Sequence, residues 1–255
     1  MSRFKLIREI TSAELAGEWD ALAAKRHEQI ITGVDVTFHH VMSPLVKGLI
    51  GDGIFDNLVD IGSGTGELTK KIAPNFRRIL CVEPSVESLN ISKKMLQHFR
   101  QAEFYNCEFE NADLGCLKGS TVYLASMVMS ATSDLNAFVG SLAKLCKGDS
   151  AFIATIPHPC YWPRYWGYEA ESWFAYEREL FIQAPFRTSL SKTSMNTTHV
   201  HRPIEMYIDT FKSHGFVLQE LKEPMPSKEV QAFYPSEWEY PRFLGFKWIK
   251  AGAQA

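Results

Sequence analysis

The chain has 255 residues, 45% of them hydrophobic and 22% charged, with a net charge of −2. That length suits one domain, or one domain with a substantial insertion, and allows a sizeable core. The near-neutral balance without a long basic run argues against nucleic acid, whose phosphates need clustered Lys and Arg, and no 18-residue apolar stretch exists to span a membrane. Five cysteines (Cys81, Cys107, Cys116, Cys146, Cys160) are scattered and form no C-x-x-C, which reads as a reduced, cytoplasmic setting. Residues 1–8 lack the apolar segment of a secretory signal.

In chain order, residues 1–50 read as mostly helical. Thr11-Ser12 is placed to cap a helix near Ala13, and a second helical pattern runs from Val36 to Leu49. Residues 56–61 form a short apolar strand, followed by Gly62-Ser63-Gly64-Thr65-Gly66 and a helix over 66–73 that Pro74 stops. A second strand covers 78–83, Ser85 is an N-cap for a helix to about Arg100, and a short third strand spans 103–107. Thr121-Val122-Tyr123-Leu124-Ala125-Ser126 is an apolar run of the kind expected for a central parallel strand. Asp134 caps a helix to about Cys146, residues 151–156 form a fifth strand, and Phe216–Lys222 and Phe243–Lys250 are two late strands with no helix between them.

The glycine turn carries the chemistry. Positive φ at such positions brings backbone close to a ligand without a Cβ in the way, and the N–H groups of the following helix face it. A dinucleotide loop has the spacing G-x-G-x-x-G, but here Glu67 stands where its third glycine belongs. Asp60, at the strand tip, would repel a pyrophosphate and attract an ammonium. The favoured ligand has a nucleoside, a positive charge and no phosphate, which makes a nicotinamide dehydrogenase an unfavourable reading.

This arrangement resembles motif I of the class I S-adenosylmethionine (SAM)-dependent methyltransferases. The segment 78–84 looks like their second strand, with Glu83 the acid for the ribose hydroxyls, and Asn111-Ala112-Asp113-Leu114 is similar to the loop whose acid reaches the adenine. The resemblance implies a Rossmann-like α/β fold, a doubly wound, mostly parallel seven-stranded sheet with an antiparallel last strand in three layers. It implies a SAM site at Asp60, Gly62, Ser63, Gly64, Gly66, Glu83, Pro84, Asp113, Leu114, Ser126 and Met127. The acid that most relatives carry early in the fourth strand is missing from Thr121-Val122-Tyr123. The implied division is a helical cap (1–50) that covers the cofactor, a SAM-binding core (51–156), a lid or substrate insertion (157–201) and a C-terminal helix and strand pair (202–255). Trp19, His27, Asp35, His39 and His40 are candidates to line the cap.

After the fifth strand, roughly 45 residues pass before the helix near Pro203, and ten aromatics lie between Pro157 and Phe186. A loop this long reads as a functional lid; its aromatics suit either a pocket for a planar or apolar small molecule or a packed mini-core or subunit interface. Tyr161, Trp162, Arg164 and Trp166 are candidate substrate contacts, with the stretch Phe233–Tyr240 as a rim. Arg164, Arg187 and Arg202 are candidates to pair a substrate carboxylate. His201, then His158, are the candidate bases if the acceptor is protonated; His199 and His201 share a strand face, but no ligand set for a metal accompanies them. The expectation is methyl transfer to an O or N atom of a small molecule, with a SAM-binding non-catalytic subunit or a macromolecular methyltransferase as alternatives. Neither nucleic acid nor membrane is expected as a partner, and a homodimer stays open.

Overall fold

The computed structural model describes residues 2–251. Its centre is a seven-stranded sheet built from β2 (Phe55–Ile61), β3 (Phe76–Val82), β4 (Ala102–Tyr105), β5 (Thr121–Ser126), β6 (Ser150–Pro157), β9 (Phe216–Lys222) and β10 (Phe243–Lys250). The order is β4-β3-β2-β5-β6-β10-β9. All pairs among β2 to β6 are parallel, and β10 runs antiparallel to both β6 and β9.

The central strands read as unbroken apolar runs because alternate residues feed opposite layers. Val59, Leu80, Tyr123 and Phe152 pack with Phe138 and Leu142 of α5 (Leu135–Leu145) and with Tyr207 and Phe211 of α7 (Ile204–Ser213). Leu58, Ile79, Val122 and Ile153 pack on the other face with Val46 and Leu49 of α2 (Ser43–Ile50) and Ile72 of α3 (Glu67–Ile72). Each such side chain, fully withdrawn from water, contributes about 1.5–3 kcal/mol. Phe152, Phe211 and Trp248 stack in series, with centroids 5.3 and 4.7 Å apart.

A second, three-stranded sheet sits on this core. Residues 157–201 are not a structureless loop: they hold the short helix α6 (Trp162–Trp166) and a hairpin of β7 (Leu180–Arg187) and β8 (Lys192–His201). The first strand, β1 (Lys5–Ile7), pairs with β7 antiparallel, so the N-terminal region begins with a strand that its lack of periodicity over three residues did not betray. The remaining helices are α1 (Ser12–Ile31), α4 (Val86–Met95) and α8 (Lys228–Gln231). α4 ends five residues before Arg100, and α8 interrupts the connection between the last two strands. The Thr11/Glu14 capping box opens α1.

α1 ties the two sheets together. Its Glu18 accepts hydrogen bonds from Thr198 N (2.6 Å), Thr198 Oγ1 (2.9 Å) and Gln183 Nε2 (2.8 Å) of the hairpin. Its Asp20 accepts from Ser85 Oγ (2.7 Å) and Glu87 N (3.0 Å) at the start of α4. One helix therefore fixes the insertion over the carboxyl ends of the parallel strands.

Candidate active site

Between the strand tips and the hairpin lies a cavity of about 620 Å³, inside the range of roughly 300–1,000 Å³ for small-molecule sites. It opens where ligands of open α/β sheets bind, beyond the carboxyl ends of the strands.

Its inner end is acidic. Gly62 and Gly64 adopt φ of +62° and +55°, and a Cβ on Gly62 would lie 2.5 Å from Val128 Cγ2, so only glycine lets the loop after β2 pass the segment after β5. A Cβ on Gly64 would meet open space; there the constraint is the left-handed φ. Glu83, at the tip of β3, accepts from Gly64 N at 2.8 Å and from Ser85 N at 2.9 Å, which pins the glycine loop to the next turn. Asp60 is buried and accepts from Thr69 Oγ1 at 2.5 Å. Burial pushes both carboxyls up to about 7, against the hydrogen bonds that favour their ionised forms. Glu108, on the same lining, is also raised, by burial and then by neighbouring Glu110. No cation pairs with Asp60, Glu83 or Glu108 among the described residues.

Met127 sits at the junction of the two ends with φ of +66°, the sole non-glycine residue in that region among those described. A side chain held there is strained, a feature of ligand-binding turns. Its N–H is fixed by Thr155 O at 2.8 Å. Phe38 and Met42, in a wide helical turn over Phe38–Met42, close the cavity from the cap.

The outer end is aromatic and basic. Trp162, Tyr165, Trp166 and Phe186 of the insertion, with Trp238 and Phe243, line it beside Arg187, Arg242, Thr197, Thr198 and His199. Three more of the insertion's aromatics, Tyr168, Trp173 and Phe174, pack behind this wall with Phe4. The aromatic stretch is thus both a pocket wall and a mini-core.

Sequence comparison bears on residues 59–152, which match the family model described as "Methyltransferase domain". Solved structures share the fold at low identity. An S-adenosylmethionine-dependent methyltransferase from Mesorhizobium loti superposes with a TM-score of 0.60 at 14% identity, covering 80% of this chain and 95% of that one. One from Clostridium acetobutylicum gives 0.56 at 13%, covering 93% and 92%. The N-methyltransferase NodS from Bradyrhizobium japonicum, in complex with S-adenosyl-L-homocysteine, gives 0.56 at 10%, covering 82% and 85%. No curated protein matches the chain in sequence.

Residues 59–152 thus match a methyltransferase domain in sequence, and the chain shares its fold with solved SAM-dependent methyltransferases. The inner end of the cavity fits SAM on its own chemistry. Two buried acids, Asp60 and Glu83, and the half-buried Glu108 lack a cation, the Ser63 hydroxyl is buried without a partner, and the glycine loop is bare of side chains. A cationic nucleoside with a ribose diol supplies what these groups lack.

Some of the expected site residues line the cavity and others lie elsewhere in the fold. Asp60, Gly62, Ser63, Gly64, Glu83, Pro84, Ser126 and Met127 line the cavity. Gly66 does not. Its φ is +86°, and a Cβ there would sit 2.7 Å from Ser92 Oγ, so it serves the packing of α3 on α4. Asp113 is exposed and turns its carboxylate to Gly115 N, while Leu114 packs into the core. A turn over Phe109–Asn111 brings Glu108, Phe109, Glu110 and Asn111 to the cavity instead, a shift of a few residues that the N-A-D-L pattern hid.

The two candidate bases are outside the cavity. His201 bonds through Nε2 to Tyr176 O at 2.9 Å and is boxed in by Phe174 and Tyr176. His158 accepts from Cys160 N at Nδ1 (3.2 Å), so its Nε2–H donates to Glu223, 2.9 Å away. Burial lowers the pKa of both. Strand alternation placed His199 with His201, yet His199 is the one at the cavity, and burial together with His201 and Arg202 pushes it down to about 3.

Among the substrate candidates, Trp162 and Trp166 face the cavity. Tyr161 stacks outside on Tyr240, with centroids 5.1 Å apart, and Arg164 lies over the same ring. Arg202 is buried, bonded to Met129 O (2.7 Å), Thr132 O (2.6 Å) and Glu179. It clamps the loop after β5 to the hairpin and has no reach into the cavity. In the cap, Trp19 and Asp35 line the cavity, Asp35 paired with Arg26 at 2.6 Å. His27 pairs with Glu67, His39 with Ile30 O, and His40 stacks on Phe233. Arg242 had no motif to announce it, beyond its place two residues after the aromatic rim.

Proposed function

We propose that this protein transfers a methyl group from SAM to an oxygen or nitrogen atom of a small molecule. The observation that carries this reading is one continuous cavity, acidic at the glycine loop and walled by aromatics at its far end. SAM is the cofactor, and when bound it supplies a methyl group already activated on a sulfonium. The chain's residues do the rest. Asp60 and Glu83 hold positive charge and ribose hydroxyls, and the Gly62–Gly64 backbone gives close approach. Pro84, Ser126 and Met127 flank the nucleoside side of the cleft. Trp162, Trp166, Trp238 and Phe243 keep water away from the acceptor and fix its orientation, which for a displacement at carbon is most of what an enzyme must provide.

His199, the histidine on the lining, stays neutral at working pH and is a weak proton acceptor. This favours an acceptor with a free lone pair, such as an anionic oxygen or a neutral amine, over one that needs a base. Enclosure under the hairpin favours a small molecule over a polymer, and the net charge of −2 gives nucleic acid little to bind. The five cysteines are all free, which suits a reducing cytoplasmic setting. No helix among the described residues is long and apolar enough to cross a membrane. Residues 1–50, 157–201 and 202–255 act with the core (51–156) as one catalytic unit, the first two roofing the cavity.

Calorimetric titration with SAM and S-adenosylhomocysteine tests this. Wild type should bind both, and Asp60→Asn should weaken SAM, whose sulfonium is cationic, more than its neutral-sulfur product. A folded wild type that binds neither would end the proposal.

A further inference from the structure

The outer end of the cavity holds two guanidinium groups for which the described residues provide no counter-ion. Arg242 is 6% exposed, forms no ion pair, and its buried Nε has no hydrogen-bond partner. Its neighbours are π faces, with Cζ 3.9 Å from the Tyr165 centroid and 4.3 Å from that of Trp238. Arg187 lies over the same Tyr165 ring at 5.6 Å. It donates through Nη2 to Tyr165 O (3.1 Å) and Trp166 O (3.0 Å), and its Nε is also buried and unpartnered. A third arginine, Arg3, donates to Trp166 O as well.

Apart from three unpaired acids, the remaining charges on the lining are paired, capping or exposed: Asp134 caps α5 through Ala137 N and Glu110 is exposed. Arg26 is paired with Asp35, and Glu67 with His27. The unpaired acids Asp60 and Glu83 come from strand tips and Glu108 from the turn after β4, whereas the unpaired bases come from the hairpin and from the turn into β10. Burying a cation without a partner is costly, and converging like charges raise the cost: desolvation first, then Arg3 and Arg242, lower the pKa of Arg187. Cation–π contacts offset only part of such a penalty. A bound anion offsets the remainder, and the planar forks of two guanidiniums suit an oxyanion.

We infer that the acceptor is a small aromatic or planar oxyanion, carboxylate or phosphate, whose charged group is held by Arg187 and Arg242 and whose body lies against Trp162, Tyr165 and Trp238. The word acceptor rests on the methyltransferase reading; the anion site does not. The backbone N–H at His158 holds Arg242 O at 2.9 Å, which ties the start of β10 to the end of β6.

The test is binding to protein saturated with S-adenosylhomocysteine, with phenylacetate, phenyl phosphate and neutral phenylacetamide as probes, followed by calorimetry and by thermal shift. Wild type should bind at least one anion, gain melting temperature from it and show no heat with the amide; the tighter anion identifies the carboxylate or phosphate source. Arg242→Met should weaken the anion about ten-fold or more, keep S-adenosylhomocysteine affinity, and melt no lower than wild type without anion, since it removes an unpaired buried charge. Equal binding of amide and anion would overturn the inference, as would no binding of either anion, or unchanged anion affinity in Arg242→Met. If the guanidiniums instead hold the cofactor's own carboxylate, the substitution weakens S-adenosylhomocysteine and the saturated protein refuses the anions; that result also overturns it. Failure of the cofactor to bind wild type at all would strike the methyltransferase reading, and anion binding to the free protein would then be judged alone.

Discussion

The two ends of the cavity are opposites in how they are made. The acidic end is written in three short segments, 60–64, 83–84 and 126–128, each at the tip of a parallel strand, and the sheet alone brings them together. The basic end takes Arg187 from a hairpin, Arg242 from the turn into β10 and Trp162 from α6, and no local pattern links them. A site built on strand tips follows from topology, whereas a site built under an insertion depends on how that insertion packs. Both ends share one property: buried charge without a partner, negative at one end and positive at the other.

The largest effect that would break this contrast is on the clamp between them. Arg202→Met leaves the Met129 and Thr132 carbonyls and Glu179 without their donor. Stability should fall by about 1–3 kcal/mol for each carbonyl left unsatisfied, read by denaturant unfolding, with the melt broadening if the hairpin loosens first. Next is Gly62→Ala, whose methyl collides with Val128 while φ stays left-handed. A loss of about 1–3 kcal/mol is expected, together with loss of S-adenosylhomocysteine affinity. The same change at Gly64 meets open space and should cost only the strain of its φ.

A pH titration sharpens the comparison. Asp60 and Glu83 have folded pKa values near 7 against ordinary values of 3.8 and 4.5. Between about pH 4 and 7 the folded protein therefore retains protons that the unfolded chain has lost, so stability of the ligand-free protein falls as pH rises through that window. A cationic ligand favours the ionised carboxyls. Affinity for SAM should rise with pH up to about 7, and binding should release protons, seen as a buffer-dependent heat. Asp60→Asn should flatten both trends. The smallest effect is Thr11→Ala, which removes the cap of α1 for about 1 kcal/mol, and checks that α1 acts as a strut whose loss both ends feel alike.

This contrast also explains what the sequence makes legible. The strand order, the glycine loop and Glu83 follow from apolar runs and turn chemistry, which act over a few residues. Asp113 lies off the cavity because a single turn over Phe109–Asn111 changes which neighbours face the cleft, and sequence pattern does not resolve such a turn. His201 and His158 lie off it too, because a histidine beside a strand end is equally suited to a carbonyl or carboxylate partner, and here each found one. Arg202 looked like a carboxylate ligand and is one, for Glu179 and for main-chain carbonyls. Arg242 was invisible because its significance is the lack of a partner, a property of the folded molecule.

The three residues of β1 pair with β7 across some 175 positions of chain, and Glu18 of α1 binds Thr198 across 180. A growing polypeptide emerging from the ribosome therefore holds β1 and the insertion-facing side of α1 idle until most of the sequence has appeared. The core of the large sheet can form in the interval, since β2 to β6 and their helices are contiguous. The roof should close last, as a slow, non-local step. Interrupted-refolding hydrogen exchange should find amides of β5 and β6 protected before those of β7 and β8.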